Sequence, residues 1–237
     1  MTSGVATQFV LFGTDHILAI AAIAAIAIGL PIAAKYAESA KTERIVALTL
    51  AATLVIHELF KITVRVYVYD MPLAGQLPLH LCGIALFLIV YVLVRHSYSV
   101  FEVAYFWVLG GTVQAILTPD VPYAFPSLAF VAFFVGHGLT VVGLVYALVV
   151  YRFKPTFRSV VKAVIVTLAY LGVIAVVNIL LNTNYLYLRH KPQQASLIDY
   201  LGPWPWYILS LILVGIVICL VLYLPYAIAA YRAKRLV

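Results

Sequence analysis

His57-Glu58-Leu59-Phe60-Lys61-Ile62-Thr63-Val64-Arg65 sets four ionisable side chains into the end of an apolar stretch that begins near residue 44. The stretch, roughly 44–68, exceeds the ~20 residues that a helix needs to cross a bilayer. On a helix His57, Lys61 and Arg65 fall at i, i+4 and i+8 and form one stripe, while Glu58 and Lys61 are i, i+3 neighbours able to pair. Charges at hydrocarbon depth cost about 3 kcal/mol each on insertion scales, so this stripe must face protein partners. Six further apolar stretches flank it, at roughly 14–36, 77–95, 99–117, 126–151, 159–182 and 205–231. The expected fold is therefore all-α and polytopic: a bundle of about seven transmembrane helices forming a single domain over 1–237.

Composition agrees. The chain has 237 residues, 65% hydrophobic and 10% charged, against about 25% charge in soluble domains. Mean hydropathy is +1.10. The loops are too short for a soluble domain. A net charge of +7 does not imply nucleic acid, because the cations cluster in alternate loops as membrane orientation demands. Cys82 and Cys219 lie in different spans at different depths, so no disulfide is expected. The first ten residues hold no Lys or Arg, so no cleavable signal is expected. No internal repeat is evident.

Orientation follows from Lys35, Lys41, Arg44, Arg95, Arg152, Lys154, Arg158, Lys162, Arg232, Lys234 and Arg235, against only Arg189 and Lys191 in the loops of the other side. This bias places the N-terminus outside and the C-terminus in the cytoplasm. Asp15, His16, His57, Glu58, Lys61, Arg65, His80, Cys82, Gln114, His137, Asn178 and Asn182, from six spans, then all fall in the outer half or near the midplane. The sixth loop, about 183–204, is long and ends in Trp204-Pro205-Trp206-Tyr207. Trp and Tyr favour the headgroup level, so it reads as an interfacial segment over the outer mouth.

Within Leu77-Pro78-Leu79-His80-Leu81-Cys82-Gly83, Pro78 suits a first helical turn. His80 and Cys82 are i, i+2 and face about 200° apart on a regular helix, so they are not a dyad with each other. Cys82 is either packing or a nucleophile that takes its base from elsewhere, His57 or His137. Gly136-His137-Gly138 lets helices approach closely and leaves the imidazole free to hydrogen-bond across the bundle or act as a base. No spacing is diagnostic of a metal site, and no cofactor is expected. The His57–Arg65 stripe is either interhelical glue or a site for an anionic group, which Arg forks well.

Together with Gly110-Gly111-Thr112-Val113-Gln114 through Asp120, Leu188-Arg189-His190-Lys191-Pro192 and Ser196-Leu197-Ile198-Asp199-Tyr200-Leu201-Gly202-Pro203-Trp204-Pro205-Trp206-Tyr207-Ile208, these motifs resemble the YwaF family of bacterial integral membrane proteins. That family is similar to eukaryotic transmembrane protein 164. The resemblance implies a multi-helix fold without soluble domains in a bacterial inner membrane. It also implies, from the eukaryotic relative, phospholipid acyl transfer with Cys82 as nucleophile and His137 as its histidine.

Two functional classes follow. In the first, Cys82 attacks a phospholipid ester with His137 or His57 as base, giving an acyltransferase or a lipid acyl hydrolase. Lys61 and Arg65 hold the phosphate, Glu58 and His80 line the site, and Gln114 or Asn178 donates to the oxyanion. Membrane phospholipids are then the partners. In the second, the polar cluster binds or transports an anionic small molecule, although the inner halves look sealed. A structural role, with the cluster as glue, is the third reading. A retinal pigment is disfavoured, because the last span holds no deep Lys.

Overall fold

The computed structural model describes residues 7–192 and 197–235, so Ser196 of the sixth-loop motif lies outside the described residues. Seven helices carry the fold: α1 (Thr14–Tyr36), α2 (Ala40–Tyr67), α3 (Leu81–Arg95), α4 (Tyr98–Leu117), α5 (Leu128–Val149), α6 (Phe157–Leu180) and α7 (Trp206–Arg235). There is no β-strand among the described residues. Six of the helices are long and apolar enough to cross a membrane, and α3 is the exception at 15 residues.

The seventh expected span is thus shorter than its sequence suggests. Leu77–His80 is not helical, and His80 is the residue that precedes the first turn, with extended backbone (φ −69°, ψ 154°). Pro78 sits in the bend before the helix rather than inside it. At 1.5 Å per residue α3 is about 22 Å long, some 8 Å short of a ~30 Å hydrocarbon core. Its far end is level with its neighbours, because Arg44 of α2 donates to the carbonyls of Leu93 and Val94 at 3.2 and 2.8 Å. The shortfall therefore falls at the other end, where α3 starts recessed inside the bundle.

That short helix is the axis of the packing. It lies against α2, α4 and α5, and Ala85, Ile89, Val92 and Leu93 are fully buried. Leu54 of α2, Phe101 and Val108 of α4, and Leu144 and Tyr146 of α5 complete an apolar core with no accessible surface. The outer helices α1, α6 and α7 keep large apolar side chains exposed, such as Ile28, Ile179 and Leu213, as lipid-facing helices do. Several of the basic residues that bias the loops find acceptors: Lys35 donates to the carbonyl of Val149, the last residue of α5, at 3.2 Å, and Lys162 pairs with Glu102 near the start of α4 at 2.8 Å. Cations suit helix C-termini.

At the opposite end the loops are tied down by side chains. His16 is fully buried. Its Nδ1 accepts from the Phe12 amide at 3.0 Å, and its Nε2–H donates to the Ile116 carbonyl at 2.8 Å. The partners fix the tautomer, since an amide only donates and a carbonyl only accepts. His16 is thus a clamp between the start of α1 and the end of α4. Asn178, also fully buried, accepts from the Tyr185 amide at 2.7 Å and from Thr183 at 3.0 Å, and donates to the Tyr185 carbonyl at 2.9 Å. It folds the sixth loop back onto the bundle.

Replacing His16 with Leu should remove both clamp bonds and cost about 3 kcal/mol. A lower melting temperature in detergent is the expected result; an unchanged melting temperature would show that the clamp contributes nothing.

Candidate functional site

Lys61 is the centre of the polar cluster. Its ammonium lies 2.6 Å from Glu58 Oε2, and its charge acts on His57, His80, Cys82 and His137. Five groups from α2, α3 with its approach, and α5 therefore share one neighbourhood. Arg65, one turn further along α2, acts on His80 and His137 and donates to Gln76 Oε1 at 3.3 Å. Glu58 is buried while Lys61 keeps about a quarter of its side-chain surface exposed, so the pair marks where the cluster meets accessible space. Glu58 Oε1 has no partner.

His57 and His137 are each held by a carbonyl. His57 Nε2–H donates to Ala132 at 2.9 Å, which leaves Nδ1 as a buried lone pair without a partner. His137 Nδ1–H donates to Phe133 at 2.8 Å, its ring stacked on Phe133 at 4.1 Å. Its Nε2 lone pair is then free. In each ring the nitrogen that faces the carbonyl is the donor, and the other nitrogen keeps no partner among the described residues. Gly136 makes room for this: a Cβ there would come within 2.5 Å of His57 Cε1. The first glycine of Gly136-His137-Gly138 therefore seats the histidine of another helix.

Cys82 lies in the first turn of α3, partly exposed. Backbone N–H groups at a helix start favour an anion, and the recessed start brings that end below the rim of the bundle. The thiol neighbours Thr112 and packs beside Gly111, whose added Cβ would lie 3.9 Å from Sγ. Both belong to Val108–Thr112, a π-helical turn within α4. Gly83 sets the bend above: a Cβ there would meet the Pro78 carbonyl oxygen at 2.7 Å.

The sixth loop covers the mouth. The His80 ring lies 5.1 Å from Tyr185 and 5.7 Å from Tyr187, and Tyr187 senses both Cys82 and Asp120. Tyr185 donates to Ala74 at 2.5 Å, Tyr207 donates to the Tyr187 carbonyl, and Trp204 donates to Leu188 at 3.1 Å. Burial holds the His80 imidazole below its ordinary range, with Lys61 and Arg65 adding to the effect. Burial, then Asp120, pushes the Tyr187 phenol up. His80, Cys82 and His137 are crowded by protein yet keep accessible surface, as groups on the wall of a cleft do.

The sequence-expected residues therefore divide. His57, Glu58, Lys61, His80, Cys82 and His137 share the Lys61 neighbourhood, with Arg65 at its edge. Gln114 is exposed and donates to Thr118 on its own helix at 3.1 Å. Asn178 is committed to the loop. Thr112 and Tyr187 belong to the neighbourhood but attract no notice in the sequence; the adjacent Gly110-Gly111 pair is the one signal for Thr112. Among the described residues no group of three or more His, Cys, Asp or Glu could hold a metal ion. A separate apolar groove of about 550 Å³ runs between α1 and α5, lined by Leu18, Ile26, Phe130 and Val142 among others.

Compared with known proteins, the chain matches the TMEM164 family model over residues 11–223. No match was found among curated proteins or among solved structures.

Gly136→Ala should push the His57 ring off the Ala132 carbonyl and cost about 2 kcal/mol through overpacking. Adding His57→Ala should recover most of the lost melting temperature. Simple addition of the two losses would show that the glycine serves something else.

Proposed function

The chain belongs to the TMEM164 family, and we propose that it is a multi-pass membrane acyltransferase in which Cys82 carries the acyl group of a membrane phospholipid. The observation that carries this reading is the common neighbourhood of Lys61, Cys82 and two histidines with open lone pairs. In our reading the site end faces outward, as the Lys and Arg bias requires, so the substrate comes from the outer leaflet.

The steps balance without a cofactor. His137 Nε2, or His57 Nδ1, takes the Cys82 proton. The sulfur attacks the ester carbonyl, and the tetrahedral oxyanion collapses as the C–O bond breaks. The lysolipid oxygen leaves with the proton from the imidazolium. The acyl chain is now a thioester on Cys82. A second lysolipid hydroxyl gives its proton to the imidazole and attacks the thioester, which restores the thiol. Water in place of that hydroxyl makes the same site an acyl hydrolase. A lowered thiolate energy is the central need of such chemistry. Lys61 and the start of α3 supply positive potential toward it, and Arg65 suits the phosphate. Glu58 holds Lys61 in place. Gln114 and Asn178 have no part in this version.

The test is purified protein in vesicles of phosphatidylcholine with one labelled acyl chain, plus lysophospholipid. We expect label to move to the lysolipid, a thioester mass on the peptide containing Cys82, and loss of both in Cys82→Ala. Of His137→Gln and His57→Gln, the variant of the true base should lose about 10²–10⁴-fold in rate. Transfer at the wild-type rate in Cys82→Ala would sink the reading.

A further inference from the structure

Several threonines along these helices satisfy their hydroxyl on their own backbone, and the buried Thr112 is an exception. Thr53, Thr140 and Thr167 each donate to the carbonyl four residues back, at 2.9, 2.8 and 2.7 Å, and Thr118 does the same at the end of α4 at 3.1 Å. This is the ordinary way for a helix to satisfy a hydroxyl in an apolar setting. Thr112 does not follow. Its side chain is fully buried and its Oγ1 has no hydrogen-bond partner. Leaving a buried hydroxyl unpaired costs free energy, so the exception needs a reason.

The backbone supplies the opening. Thr112 ends the π turn Val108–Thr112, in which the Val113 amide bonds to the carbonyl of Val108, the group that Thr112 would otherwise use. Such turns are frequent at functional sites. Gly110 and Gly111 keep the turn free of side chains, and Gly111 lets Leu81 and the Cys82 sulfur come close. The Cys82 thiol lies beside this hydroxyl, at the margin of a weak hydrogen bond. A neutral thiol is a weak acceptor; a thiolate is a charged one, to which a hydroxyl bonds far more strongly.

We infer that Thr112 is the positioning residue of Cys82: its hydroxyl donates to the sulfur once the thiol has lost its proton and fixes the direction from which the thiolate attacks. The contact is weak while the thiol is neutral and strengthens once it is ionised, so the interaction favours ionisation rather than storage of the thiol. The inference rests on the acyl-transfer reading for its purpose but not for its test.

The measurement is alkylation of Cys82 by iodoacetamide in detergent at pH 8, in a Cys219→Ala background so that one thiol reports. Thr112→Val, of the same shape without the hydroxyl, should react about tenfold more slowly while melting no lower than the parent. Thr112→Ser should return to within about twofold of the parent rate. Parental speed in Thr112→Val, failure of Thr112→Ser to restore it, or an unreactive Cys82 in the parent would each overturn the inference. No lipid enters this assay. A slow Thr112→Val with a parent that moves no acyl chain would end the acyl-transfer reading and leave Thr112 in place.

Discussion

The ion pair between Lys61 and Glu58, 2.6 Å long with the carboxylate buried, is the constraint around which the rest is arranged. An isolated charge in an apolar bundle costs several kcal/mol, and removing one partner from a buried pair costs about 3–5 kcal/mol. The chain keeps both partners on one helix, three residues apart, so the pair forms as soon as α2 does. The ammonium is then left with a positive field that its carboxylate only partly cancels. His57, His80, Cys82 and His137 lie in that field.

The two ends of the bundle spend their polar groups differently. At the end where Lys35, Arg44 and Lys162 lie, side chains satisfy carbonyls or one another. At the other end three atoms stay buried and unpaired among the described residues: His57 Nδ1, Glu58 Oε1 and Thr112 Oγ1. All three flank the Lys61–Cys82 neighbourhood. Unsatisfied groups gathered at one level are what a bundle built for stability alone would avoid, and they suit a place that awaits a partner.

Much of this was legible in the sequence and some was not. Six spans follow from apolar length alone, and the His57–Arg65 stripe from helical spacing. The start of α3 was not legible, because Pro78 is equally at home in a first turn and in the bend before one. Nor could polarity tell which amides and imidazoles serve backbone. His16 and Asn178 look like site residues in a list of intramembrane polar groups, yet their partners are carbonyls and amides close to loops. The roles of Gly136 and Thr112 depend on the neighbouring helix, and spacing along one helix carries no information about that. The family match over 11–223 agrees with the resemblance carried by the Gly110–Asp120 and Trp204–Tyr207 motifs.

The solid lower half of α3 has an electrical consequence. Ile89, Val92 and Leu93 have no accessible surface, and neither have Phe101, Leu144 and Tyr146 around them. The polar groups and the insulating plug thus lie in series. In the proposed acyl-transfer cycle, protons exchanged at the histidines return to the compartment they came from. Moving one charge across the whole membrane potential is worth about 2.3 kcal/mol per 100 mV; a cycle confined to one side of the plug couples to only a small share of that, and its rate is set by the acidity of one compartment rather than by voltage.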